Sequence, residues 1–104
     1  MSDYIPPEEV TSPRRHWSLI RVLERGHEPD SHGQRVAISI GKWNNHTVLG
    51  MRWNGDKERP NGHPQSRGLP VWFIVPRRLQ DAVVDTLSKD DQTLARSLLN
   101  AAKK

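Results

Sequence analysis

The chain contains no cysteine, which excludes disulfides, thiolate-bound metal and cysteine nucleophiles and fits a cytoplasmic or nucleoid-associated location. No run approaches the roughly 18 apolar residues of a membrane helix. The opening Met1-Ser2-Asp3-Tyr4-Ile5-Pro6-Pro7 has no apolar signal region. Apolar residues are scarce throughout: at 34% of 104 residues they suffice for one small core and leave little to order long polar ends. Neither GxGxxG nor GxxxxGKS/T occurs, so a phosphate-cradling loop is not expected. Between residues 35 and 78 the only carboxylates are Asp56 and Glu58. They share one loop, whereas a metal-dependent nuclease needs carboxylates converging from several elements. The expectation is a protein without catalytic residues, metal or cofactor.

Five histidines raise the question of metal again. His27 and His32 flank Glu28 and Asp30, but the spacing is one residue longer than H-E-x-x-H and Pro29 opposes a helix. The segment 25–34 reads as a loop. What the chain does have is positive charge in its middle. Arg35, Lys42, Arg52, Lys57, Arg59, Arg67, Arg77 and Arg78 face only two acids there, a balance of +6 against +4 for the whole protein. A phosphate-facing surface has this bias.

Residues 1–15 hold three prolines and several acids and read as a disordered tail. Residues 16–24 are rich in β-branched and aliphatic side chains and read as a first strand, with a helical turn as the alternative. Residues 35–43 alternate, with Val36, Ile38 and Ile40 on one face and Arg35, Ala37, Ser39 and Gly41 on the other. Asn44-Asn45-His46 makes a turn, because asparagine tolerates positive φ. The return strand 47–53 has the faces Val48, Gly50, Arg52 and Leu49, Met51, Trp53; the second packs inward, with Trp53 at the rim. Residues 54–68 form a long Gly/Pro/Asn-rich loop of a length compact domains seldom carry without a use. Residues 69–75 are the last strand, apolar on both faces.

From Pro76 the period changes: Leu79, Val83 and Leu87 form a helical stripe. Ser88-Lys89-Asp90-Asp91 resembles a capping box for a second or kinked helix with the stripe Leu94, Leu98 and Ala101 or Ala102. The expected class is α+β: a four-stranded antiparallel curved sheet followed by a C-terminal helix (ββββα). The domain spans 16–88, with 89–104 a further helix or helix extension.

Three of the four tryptophans lie among the strand arginines. That pattern predicts a sheet with one dry face and one wet, basic, partly aromatic face, which suits a single-stranded nucleic acid: cations for phosphates, flat rings for bases. The candidate contacts are Arg35, Lys42, Arg52, Lys57, Arg59 and Arg67 for phosphates. Trp43, Trp53 and Trp72 are the candidates for stacking, with Trp17 beside them. Because Arg52 and Trp53 alternate, they cannot share a face unless a bulge intervenes, and Trp43 beside Lys42 is the better stacking candidate.

The segment 35–87 resembles the single-stranded-DNA-binding domain of the positive cofactor four transcriptional coactivator family. The likeness rests on Lys42-Trp43-Asn44-Asn45-His46, on Val48-Leu49-Gly50-Met51-Arg52-Trp53, on Pro64-Gln65-Ser66-Arg67-Gly68-Leu69 and on Pro76 at a helix start. The resemblance implies a curved four-stranded sheet, a C-terminal helix, and a homodimer whose strands and helices frame a channel for single strands. The last strand is longer and more apolar here, and the loop carries fewer lysines than the family's. The expected function is binding of single-stranded DNA, ahead of RNA, in a transcription-related role. The rival expectations are a protein-interaction module that buries the apolar last strand and the 79/83/87 stripe, and a small nuclease.

Overall fold

The computed structural model describes residues 4–26 and 35–101; the His27–His32 segment considered for metal lies outside them. Strands β1 (Trp17–Glu24), β2 (Val36–Trp43) and β3 (His46–Trp53) form an antiparallel meander. β4 (Gln65–Ser66) and β5 (Leu69–Pro70) pair as a separate ribbon, and β6 (Phe73–Ile74) returns to the outer edge of β3. A 3-10 turn over Arg77–Leu79 leads into α1 (Gln80–Val84), and α2 (Lys89–Ala101) follows. The class is α+β, with the expected four-stranded antiparallel sheet and C-terminal helix, joined by the short helix α1.

The β2–β3 turn is the two-residue turn Asn44-Asn45, with φ of 49° and 72°. That geometry matches the right-handed twist of the flanking strands, and asparagine is among the few residues that tolerate it. It fixes the register Trp43↔His46 through Val36↔Trp53. β1 is the sheet's other edge, and its register slips after Leu19 and after Val22. The first bulge leaves Ile20 unpaired and exposed, so that Leu19 and Val22 face the same side.

On one face Leu23, Ile38, Ile40, Leu49 and Val75 pack against Val84, Leu87, Ala95 and Leu99 of the helical layer. The opposite face departs from expectation: it is dry. Val10, Trp17, Ala37 and Trp72 form a second core there. β2 and β3 offer it a floor of small residues, Ala37, Ser39, Gly41 and Gly50, on which two indoles lie. A Cβ at Gly41 would sit 2.5 Å from the Trp17 ring, and one at Gly50 3.1 Å from Trp72. The two indoles are 6.4 Å apart.

Residues 4–15 are the lid of this second core rather than a disordered tail. Val10 is fully buried, and its carbonyl accepts the Trp72 Nε1–H at 2.7 Å. The Ile5 N–H donates to Pro60 O at 3.0 Å, Pro7–Glu9 forms a 3-10 turn, Glu8 pairs with Arg25, and Ser12 bridges to Val71. Few apolar residues are needed, because the indoles supply most of the area to be covered.

The last strand is also shorter than expected. Residues 69–75 divide into β5, a crossing at Val71 and β6, because the Arg67-Gly68 turn folds residues 69–70 back onto 65–66. In the helices Leu87 is buried as expected and Val83, Leu94 and Leu98 pack half-buried against the core, but Val84, Ala95 and Leu99, one residue beyond the predicted stripes, are the more deeply buried. Leu79 is exposed. The break after Val84 resets the helical phase. Ser88 then caps α2, its Oγ accepting the Asp91 N–H at 3.2 Å. Arg96 joins the two helices through Asp85 at 2.5 Å and Asp81 at 3.3 Å.

Gly41→Ala drives a methyl into Trp17 and is expected to destabilise the fold by about 2 kcal/mol. Urea unfolding followed by tryptophan fluorescence measures this; an unchanged midpoint would mean that Trp17 does not lie on Gly41.

Candidate nucleic-acid interface

Arg52 projects from β3 onto the face carrying the second core and is 3% exposed. Its Nη1 donates to Val71 O at 2.5 Å and to Pro64 O at 3.4 Å, and its Nη2 donates to Asn61 O. These three carbonyls belong to the loop and ribbon that follow β3. Gly62, at φ 59°, passes so close that a Cβ there would meet the guanidinium. Trp53 and His63 exchange backbone hydrogen bonds at 2.8 and 2.9 Å, Asn61 Nδ2 donates to Gly68 O at 2.9 Å, and Gln65 Nε2 donates to Gly62 O at 2.9 Å. Asp56 Oδ1 accepts the N–H groups of Glu58 and Arg59 at 2.9 and 2.8 Å. The long loop is thus a built structure with Arg52 as its hub.

No carboxylate pairs with Arg52 among the described residues. Burial lowers its pKa from the ordinary arginine value to about 10. A base whose folded pKa is depressed costs stability below that value, and the cost is relieved as pH rises above about 10 towards the ordinary arginine value. Across the physiological range Arg52 therefore stays charged and its contribution is flat.

The loop end of the sheet carries an apolar groove of about 350 Å3 lined by Val36, Met51, Trp53, His63, Pro64, Phe73 and part of Arg52. The helical layer stops short of it. Phe73 pairs with Met51, and Trp53 lies two residues along β3, so the two rings share a face as diagonal neighbours, roughly 7 Å apart at the backbone. Trp53 is 49% and Phe73 57% exposed, an unusual pair to leave in water.

The predicted contacts fall into three groups. Arg35, Trp53, Lys57, Arg59 and Arg67 are exposed at the loop end. Lys42 and Trp43 are at the hairpin end, ~24 Å away along β2, where Trp43 is half-buried and stacks on His16 at 5.3 Å. Arg52 and Trp72 are buried. Arg52 turns both Nη groups to backbone carbonyls and buries its Nε, and Trp72, 5% exposed, is roofed by Val10, so neither presents itself to phosphate or base.

Arg67 is at the tip of the β4–β5 ribbon with φ 52°, followed by Gly68 at φ 80°. A two-residue turn of this kind favours glycine, asparagine or aspartate, and an arginine there costs about 1 kcal/mol. Sequence reasoning missed Phe73, whose alternation within an all-apolar stretch marked no wet side. It also missed Arg14, Arg15 and His16, assigned to the tail or to the strand start. His16 in fact packs on Trp43 and bonds Asn44 Oδ1 at 2.8 Å, and the exposed Arg14 and Arg15 beside it join Lys42 at the hairpin end. Among the described residues no cluster of His, Asp or Glu is arranged to hold a metal, and no helix is long and apolar enough to cross a membrane.

No family model matches the chain, and neither a curated protein nor a solved structure matches it.

Arg52→Met leaves three carbonyls without their donor and is expected to lower unfolding free energy by about 3 kcal/mol. Chemical denaturation tests this: a loss of oligonucleotide affinity with wild-type stability would instead make Arg52 a surface contact.

Proposed function

We propose that this chain binds single-stranded nucleic acid, DNA ahead of RNA, as a homodimer without catalytic activity, through the loop end of its sheet. The observation that carries the reading is the exposed pair Trp53 and Phe73 on one face of adjacent strands, over an apolar groove. Each ring offers a base about 1–3 kcal/mol of stacking without regard to sequence. Arg35, Lys57, Arg59 and Arg67 supply exposed cations at the same end. Of the two acids there, Asp56 is already engaged by loop N–H groups. The strained backbone at Arg67 adds support: a costly residue at a ribbon tip is commonly kept for what its side chain reaches. A transcription-related role accords with the resemblance to the positive cofactor four family.

The second reading is a protein-interaction module, favoured by the exposed apolar side chains of Leu69, Phe73 and Leu79. Intrinsic fluorescence separates the two. A base stacked on Trp53 quenches emission, whereas a protein-docking surface leaves it unmoved by DNA.

Titration of a labelled single-stranded oligonucleotide is expected to show affinity falling with salt, at a log–log slope of about −3 if four cations engage. Trp53→Ala and Phe73→Ala should each weaken binding by about 1–3 kcal/mol. Arg67→Asn should reduce the slope by about one while slightly stabilising the fold, since asparagine tolerates positive φ. Absence of binding at low salt, or binding indifferent to salt, would sink the proposal.

A further inference from the structure

At the hairpin end β3 runs on beyond its neighbour. Trp43 and His46 close the two-residue turn as a bonded pair, so by alternation the backbone groups of Thr47 and Leu49 point away from β2. Leu49 O accepts the Val75 N–H at 2.9 Å, but no strand lies beside Thr47 among the described residues. The chain turns off at Pro76 instead, and a notch of about 440 Å3 opens between β3, the end of β6 and the helical layer. Its apolar walls include Val48, Ile74, Pro76 and Leu99.

Arg77 and Gln80 join Asn45, His46 and Thr47 in the polar part of the notch lining. Arg77 and Gln80 are three residues apart across a 3-10 turn, a spacing that puts both on one side. Arg77 is exposed, whereas Gln80 is only 9% exposed. The Gln80 amide lines the notch and has no hydrogen-bond partner among the described residues. The amide atoms are not among the fully buried unpaired groups of the described residues, so they open onto the notch, where a ligand edge can take the place of water. The nearest acid in sequence, Asp81, is held by Arg96 at 3.3 Å, so the mouth of the notch is positive.

We infer that this notch is a nucleobase pocket, in which an unstacked base of the bound single strand sets its hydrogen-bonding edge on the Gln80 amide and leaves its phosphate to Arg77. The inference rests on the single-strand reading above. An amide presents a donor and an acceptor in one plane, which is the pattern of a base edge. Flat apolar walls suit the faces of a base, and the volume is that of a small-ligand site. The notch and the Trp53–Phe73 groove lie along the same strand, ~20 Å apart from Thr47 to Trp53. One single strand following the outer edge of β6 therefore passes both. The groove binds any base, and the notch selects among them.

The test is a panel of labelled dA, dC and dT homo-oligonucleotides of about 12 residues, titrated onto the full chain by fluorescence anisotropy. The expected result is a preference of about tenfold for one base. Gln80→Met, which keeps the length of the side chain and suits a helix, should abolish that preference and bring the three oligonucleotides to one affinity, each with the wild-type salt slope, since no cation is removed. Arg77→Gln should weaken all three equally and lower the salt slope by about one. Equal affinity of the wild-type chain for all three, or a preference that survives Gln80→Met, would overturn the pocket while leaving single-strand binding in place. If no oligonucleotide binds at low salt, the single-strand reading itself fails and the pocket with it. The wild-type panel needs no variant, so the inference stays open to refutation even if Gln80→Met does not fold.

Discussion

Arg52 donates to the carbonyls of Asn61, Pro64 and Val71 from near the end of β3, and the path of the loop and ribbon depends on those bonds. A loop of that length, rich in Gly, Pro and Asn, has little intrinsic preference for one path. A guanidinium suits the task because its fork of donors is planar and fixed. It can gather carbonyls from three points of the chain without a carboxylate to neutralise it. The cost is a desolvated charge, visible in the lowered pKa of Arg52. The return is a loop held firmly enough to wall the groove with His63 and Pro64 and to hold Arg67 in a left-handed conformation.

The second constraint is the small-residue floor beneath Trp17 and Trp72. With larger residues at Gly41 and Gly50 the indoles could not lie against the sheet, and the chain has too few aliphatic residues to cover that face otherwise. Once flat, the indoles need only a thin lid. Val10 supplies the contact, and its carbonyl satisfies the Trp72 indole N–H, which would otherwise be buried unpaired. A charge-rich, proline-rich segment thereby becomes part of the core with two apolar residues, Ile5 and Val10.

Much of the frame was legible because it is written locally. Val36, Ile38 and Ile40 alternate over one face, Asn44-Asn45 demands a tight hairpin, and Ser88 followed by Asp91 caps a helix. The parity of β3 was legible too: Leu49 and Met51 turn towards the helices, with Trp53 at the rim. What was not legible lies in contacts between distant segments. Val10 and Trp72 are 62 residues apart, and no local period announces that one roofs the other. Arg52 was assigned to the correct side of its strand, but what covers that side could not be read from β3 alone. The candidate site moved for the same reason. Its rings and cations are local features, whereas their exposure depends on where the helical layer ends and on which face the N-terminal segment closes.

Covering both faces of the sheet restricts where any ligand can go. The helices occupy one side and the N-terminal segment the other, leaving the ends and the outer edge of β6 as the accessible parts of the sheet beyond the bulged edge of β1. β6 is only two residues long, so β3 emerges past it at both ends, into the aromatic groove on one side and the notch on the other. A short strand at a sheet edge is ordinarily a defence against pairing with other chains. Here the same shortness exposes Trp53 beyond one end of β6 and Thr47 beyond the other. Exposed cations flank both openings, Arg67 at the ribbon tip and Arg77 after Pro76. An extended, negatively charged chain with flat side groups can meet all of these features at once by lying along a single edge, which a compact ligand in either opening alone cannot do.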